Sequence, residues 1–98
     1  MSKKAMFNLS LSHKIFFLSR SHQERPNRIR WINDDDIVIA DSQLPHIQTP
    51  DKLLNSNGSL EVINVQLNDT GNYICEVTVG YRISKQEHSI EVQGNKIA

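Results

Sequence analysis

The sequence predicts an all-β protein built as an antiparallel β-sandwich, and three observations predict it. Short runs rich in β-branched and aromatic residues recur between clusters of Asn, Asp, Gly and Pro. The clearest run, Tyr73-Ile74-Cys75-Glu76-Val77-Thr78-Val79, puts Tyr73, Cys75, Val77 and Val79 on one face by its period of two. No stretch of useful length carries a helical period. A chain of 98 residues is one domain or most of one. It can bury roughly 65% of the surface its unfolded form exposes, which suffices for a single sandwich core.

Each element follows from local chemistry. The N-terminal run Ala5 to Leu18 is apolar but broken by Asn8, His13 and Lys14, which reads as an N-terminal strand and not as a leader core. Ser19 to Arg28 is polar and basic with Pro26, a loop or linker. Ile29 to Asn33 and Ile37 to Ala40 read as two strands of a hairpin. The Asn33–Asp36 cluster turns between them, because short polar side chains tolerate turn dihedrals. Residues 41–58 hold only Lys52-Leu53-Leu54 as a strand. Asn57-Gly58 then launches the strand Leu60 to Val65. Gln66 to Asn72 is a corner, and Tyr81 to Ser84 with His88 to Val92 make the last strand.

Composition excludes several functions. Lys plus Arg and Asp plus Glu are 11 each, so the net charge is zero, which argues against a nucleic-acid arm or a polybasic membrane patch. The one cysteine, Cys75, excludes an intramolecular disulfide and a cysteine-rich zinc site. No run approaches the ~18–20 apolar residues of a membrane helix. His13, His22, His46 and His88 lack metal-ligand spacing, and Asp34-Asp35-Asp36 reads as a solvated turn. No nucleophile–base order, phosphate loop or catalytic carboxylate pair stands out, so neither an enzyme nor a cofactor is expected.

One constellation is more specific. Asp69-Thr70-Gly71-Asn72-Tyr73-Ile74-Cys75 shows Asp-x-Gly-x-Tyr-x-Cys, preceded by Gly58 to Leu67 and, further upstream, Trp31. This resembles an immunoglobulin-superfamily domain of the intermediate or variable type, over about residues 29–93, from strand C to strand G. The resemblance implies that Trp31 fills the space between sheets and that the Tyr73 hydroxyl ties the corner before strand F to nearby backbone. It implies that Gly71 allows a turn a Cβ would obstruct and that Asp69 pairs with a cation near strand D, here Lys52. Leu60, Val62, Val65, Leu67, Val77, Ile90 and Val92 are the expected core beside Trp31 and Cys75.

The chain departs from the family upstream. The strand-B cysteine would lie about 12 residues before Trp31, near Ser19, and no cysteine is there. Ile15, Phe17 and Ser19 alternate and could stand in for strand B. Residues 1–28 are therefore irregular first strands or sequence foreign to the domain, 29–93 the immunoglobulin-like domain and 94–98 a tail. Cys75 is expected as a buried thiol against Trp31, with no neighbouring cation to activate it.

The resemblance makes the expected function recognition. The sheet of strands C, C′, F and G would present Arg30, Ile32, Ile74, Glu76, Tyr81 and Arg82 outward, as a face for another immunoglobulin-like domain, like or unlike itself. Sequons at Asn57 and Asn68 sit where a turn and a corner are expected, and Asn8 heads a third. The leading expectation is a cell-adhesion module at the surface of cells, neural or immune, in a truncated or alternative form of a larger protein. The alternatives are an intracellular structural module of a muscle-type scaffold, for which a single cysteine suffices, and a fragment with no stable role of its own.

Overall fold

The computed structural model describes residues 3–8, 11–16 and 25–93. Eight strands run through them in chain order: β1 Lys3–Asn8, β2 His13–Ile15, β3 Arg28–Ile32, β4 Val38–Asp41, β5 Lys52–Leu54, β6 Leu60–Val62, β7 Gly71–Val79 and β8 Arg82–Gln93. They form a five-stranded sheet ordered β1-β8-β7-β3-β4 and a three-stranded sheet ordered β2-β6-β5. Every pairing is antiparallel except β1 on β8, which is parallel. One apolar cluster draws from both sheets, joining Ile15, Leu60 and Val62 to Phe7, Trp31, Tyr73, Cys75, Val77, Ile90 and Val92. The architecture is a two-layer sandwich around a single core. It is an immunoglobulin-like one.

Burial follows the alternation of β7, in which Tyr73, Cys75 and Val77 are buried and their neighbours are not. Trp31 and Cys75 are directly opposed residues of β3 and β7, and both are fully buried. The Trp31 indole Nε1 donates to the Gly58 carbonyl at 2.9 Å, so its one polar atom is satisfied inside the core. Burial of the Cys75 thiol, with the Glu76 charge beside it, pushes its pKa up to about 12. A thiol held protonated and out of reach is unreactive.

The corner before β7 is locked by side chains. Residues Leu67–Asp69 form one turn of 3-10 helix. The Tyr73 hydroxyl donates to the Asp69 carbonyl at 2.6 Å, and Gln66 N–H donates to Asp69 Oδ2 at 2.7 Å. Lys52 Nζ on β5 lies 2.8 Å from Asp69 Oδ1. Burial opposes the Lys52 charge, but the Asp69 and Asp51 carboxylates outweigh it and raise its pKa. Gly71 has φ +150, and a Cβ there would collide with the Asp34 carboxylate, which accepts the Asn72 N–H at 3.0 Å.

Leu67 corrects the expected core: it is 61% exposed. The period of two that buries Val65 would bury residue 67 as well. The chain instead leaves extended geometry there for a turn with three residues per repeat, and Asp69 takes the inward position.

The first strands enter both sheets. Phe7 of β1 is buried, and its ring stacks on His13 of β2 at 4.4 Å. His13 Nε2 also accepts the Asn8 N–H at 3.2 Å, which ties an edge of one sheet to an edge of the other. Ser19, the expected stand-in for the missing cysteine, lies outside the described residues, as do Phe17 and the tail from residue 94.

Candidate functional site

Strands β4, β3, β7 and β8 turn one set of alternate side chains to the core and the other set outward. The outward set begins with two cross-strand ion pairs. Arg28 on β3 meets Asp41 on β4 through a forked contact, with Nε 3.0 Å from Oδ1 and Nη2 on Oδ2. Asp41 Oδ1 also accepts the Gln43 N–H at 3.0 Å. The Arg28 hydrogen bond holds the Asp41 carboxyl below its ordinary value despite the opposing effect of burial. The guanidinium is shifted upward in turn, chiefly by the same hydrogen bond.

The second pair crosses the middle of the sheet. Arg30 Nη2 lies 2.7 Å from Glu76 Oε1 on β7, and Lys85 Nζ on β8 lies 4.0 Å from Glu76 Oε2. Glu76 is thereby held between two cations on neighbouring strands. These pairs are part-buried, with the Asp41 side chain 1% exposed and the Glu76 side chain 13%, so removing a cation costs more than it would at an open surface. Their effect is to fix a pattern of charge in space. Beside it run the apolar side chains of Ile74, half-buried opposite Ile32, and Ile83, 62% exposed opposite Thr78.

The structure brings Arg30, Ile32, Ile74 and Glu76 together on this face, by register. It corrects the expectation that Ile32 is available to a partner, since only 8% of it is exposed. Its strand neighbours are Ile74 on one side and Val38 on the other, with a register shift at Trp31/Ile32. An apolar residue between apolar neighbours in mid-sheet loses its water without a partner. Tyr81 and Arg82 stand apart from the face. Tyr81 is fully exposed in the turn with Gly80 that joins β7 to β8, and Arg82 follows at the tip, on the parity of the core-facing residues. The sequence reading missed Ile83, Lys85 and the Arg28–Asp41 pair. Counting back in twos from inward Ile90 and Val92 would have turned residues 83 and 85 outward.

The remaining candidates are dispersed. Asn57 is exposed in the turn between β5 and β6, and Asn68 is exposed in the 3-10 turn at the opposite corner. Asn8 ends β1. Asp34, Asp35 and Asp36 form the β3–β4 turn, in which Asn33 Oδ1 accepts the N–H groups of Asp35 and Ile37 at 2.9 and 3.0 Å. Among the described residues, no three His, Cys, Asp or Glu side chains converge as a metal site would require. No helix among them is long and apolar enough to cross a membrane.

Comparison with known proteins points one way. Residues 17–80 match the family model described as the immunoglobulin domain. The search of curated proteins finds no match. Among solved structures, Tim-2 superposes with a TM-score of 0.80 at 13% identity, over 100% of this chain and 97% of that one. The neural ectodermal development factor IMP-L2 gives 0.77 at 16% identity, over 96% of this chain and 41% of that one. The N-terminal four immunoglobulin domains of Dscam1 isoform 1.9 give 0.74 at 15% identity, over 96% and 23%. The chain thus spans about two fifths of the IMP-L2 chain and under a quarter of the Dscam1 chain.

Proposed function

The chain belongs to the immunoglobulin domain family, and from that premise we propose that it is an extracellular recognition module. It serves adhesion between cells by meeting a second immunoglobulin-like domain, like or unlike itself, with the outer face of its five-stranded sheet. The observation that carries this reading is the pattern on that face. Apolar Ile74 and Ile83 lie beside the fixed charges of Arg30, Glu76 and Lys85 on adjacent strands. Apolar contact supplies affinity, and paired charges set orientation and reject wrong partners. The net charge of zero leaves no long-range repulsion between two copies.

The test is association of the purified chain. Sedimentation measures self-association, and binding to a panel of immunoglobulin-like domains measures the rest. We expect Ile83→Asp and Glu76→Arg each to weaken whichever association is found by about tenfold or more, the loss of one anchoring contact. Association untouched by both variants would remove the face from the account.

A second reading rests on a different observation, the fully buried free thiol of Cys75. A core that closes around an unbridged cysteine also suits a reducing compartment, and hence an intracellular structural module. Localisation of the tagged protein separates the two readings.

A further inference from the structure

We propose that Asn57 is an acceptor for N-linked carbohydrate, and that the β5–β6 turn is built to carry the sugar without losing a hydrogen bond. The proposal rests on the reading that the protein acts outside the cell. Asn57-Gly58-Ser59 is a sequon by sequence. The structure adds what the folded turn does with each of its atoms.

Asn57 Oδ1 accepts two hydrogen bonds, from Ser59 N–H at 3.0 Å and from Ser59 Oγ at 2.7 Å. Its Nδ2 makes no hydrogen bond among the described residues, and the residue is exposed. Attachment at Nδ2 leaves Oδ1 an acceptor, so both bonds that shape the turn survive. Ser59 itself is 1% exposed and also accepts from Asn55 Nδ2 at 3.0 Å. A transferase cannot reach that hydroxyl in the folded chain, so transfer precedes closure of the turn. In the transfer, C1 of an oligosaccharide carried on a lipid pyrophosphate bonds to Nδ2. The C1–O bond to pyrophosphate breaks, Nδ2 gives up one proton, and lipid pyrophosphate leaves.

The turn matters to the core as well, because Gly58 supplies the carbonyl that accepts the Trp31 indole N–H. The sugar would stand on the three-stranded sheet's side of the sandwich. The ion-paired face of the other sheet would remain open. Asn68 differs in chemistry, since Asp69 occupies the middle of its sequon and places a carboxylate next to the acceptor. An anionic pyrophosphate donor is disfavoured there by like charge.

The full chain behind a cleavable secretion leader, expressed in glycosylating eukaryotic cells, provides the test. The leader makes the outcome independent of where the protein resides naturally, so failure here is separable from failure of the recognition reading. Secreted and cell-retained fractions are digested in heavy-oxygen water with and without peptide N-glycosidase and read by mass spectrometry at residue 57, because Asn57-Gly58 also deamidates without a sugar. We expect heavy-oxygen aspartate at position 57 in excess of the enzyme-free sample, and loss of that glycan in Asn57→Asp, which keeps an acceptor oxygen in the turn. We expect Asn68→Asp to leave it in place. Residue 57 labelled no more than in the enzyme-free sample in both fractions, or a glycan that persists unchanged in Asn57→Asp, would overturn the proposal.

Discussion

The two faces of the same strands are put to opposite uses. On the core side of β3 and β7 stand Ile29, Trp31, Tyr73, Cys75 and Val77, all buried. One residue along in each case, on the outer side, stand Arg28, Arg30, Ile74, Glu76 and Thr78. The inner set gains about 1.5–3 kcal/mol per large side chain from leaving water. The outer set gains less, because its part-buried ion pairs give back in desolvation much of what their attraction supplies. A period of two therefore lets one strand carry stability and recognition separately, and changes to one face should barely register on the other.

The largest expected effect is on the inner face. Trp31→Ala should cost about 3–5 kcal/mol, enough in a domain without a disulfide to abolish the cooperative transition in a denaturant titration. A folded spectrum with an unchanged midpoint would break the contrast at its root. Next comes the corner. Lys52→Met leaves the Asp69 carboxylate without its cation and should cost about 1–3 kcal/mol, read as a lowered midpoint with an unchanged slope. Tyr73→Phe removes one hydroxyl and should cost about 1 kcal/mol, with the Asp69 carbonyl left short of a donor.

Asp41 sharpens the comparison through pH. Its carboxyl titrates below its ordinary 3.8 in the folded chain, so the unfolded state binds more protons as pH falls through that range. The stabilisation is complete above the ordinary value and is lost as the pH drops through the folded one. Acidification through pH 4 and below should lower the midpoint of the natural chain more than that of Asp41→Asn. Equal losses in both would mean the Arg28 pair adds nothing. The smallest effect belongs to Lys85→Ala, with a stability change within about 1 kcal/mol and its consequence confined to binding.

Much of this was legible in the sequence because it is local. The alternation of β7 is written in seven consecutive residues, and the hydrogen bond from Tyr73 to Asp69 spans four. The partners Trp31, Cys75 and Lys52–Asp69 are read from a resemblance whose spacing this chain keeps. What escaped is what depends on distant or irregular pairing. Nothing in Lys3–Asn8 says that it runs parallel to β8. The polar stretch Lys85–Glu87 lies within one continuous strand because the tight turn at Gly80–Tyr81 sets its register against β7, not because it buries apolar surface. Leu67 and Ile32 failed for different reasons. A 3-10 turn interrupts the period of two at Leu67, whereas Ile32 keeps its outward register opposite Ile74 and is covered between its apolar strand neighbours.

The separation of faces can be tested with one thiol on each. Cys75 points inward in the natural chain, and Lys85→Cys placed in a Cys75→Ala background points outward from a position 64% exposed. The account predicts that a thiol reagent under native conditions modifies the outward position at the rate of a free thiol and Cys75 only as fast as the whole domain opens. Prompt labelling of Cys75 in the folded protein would contradict it.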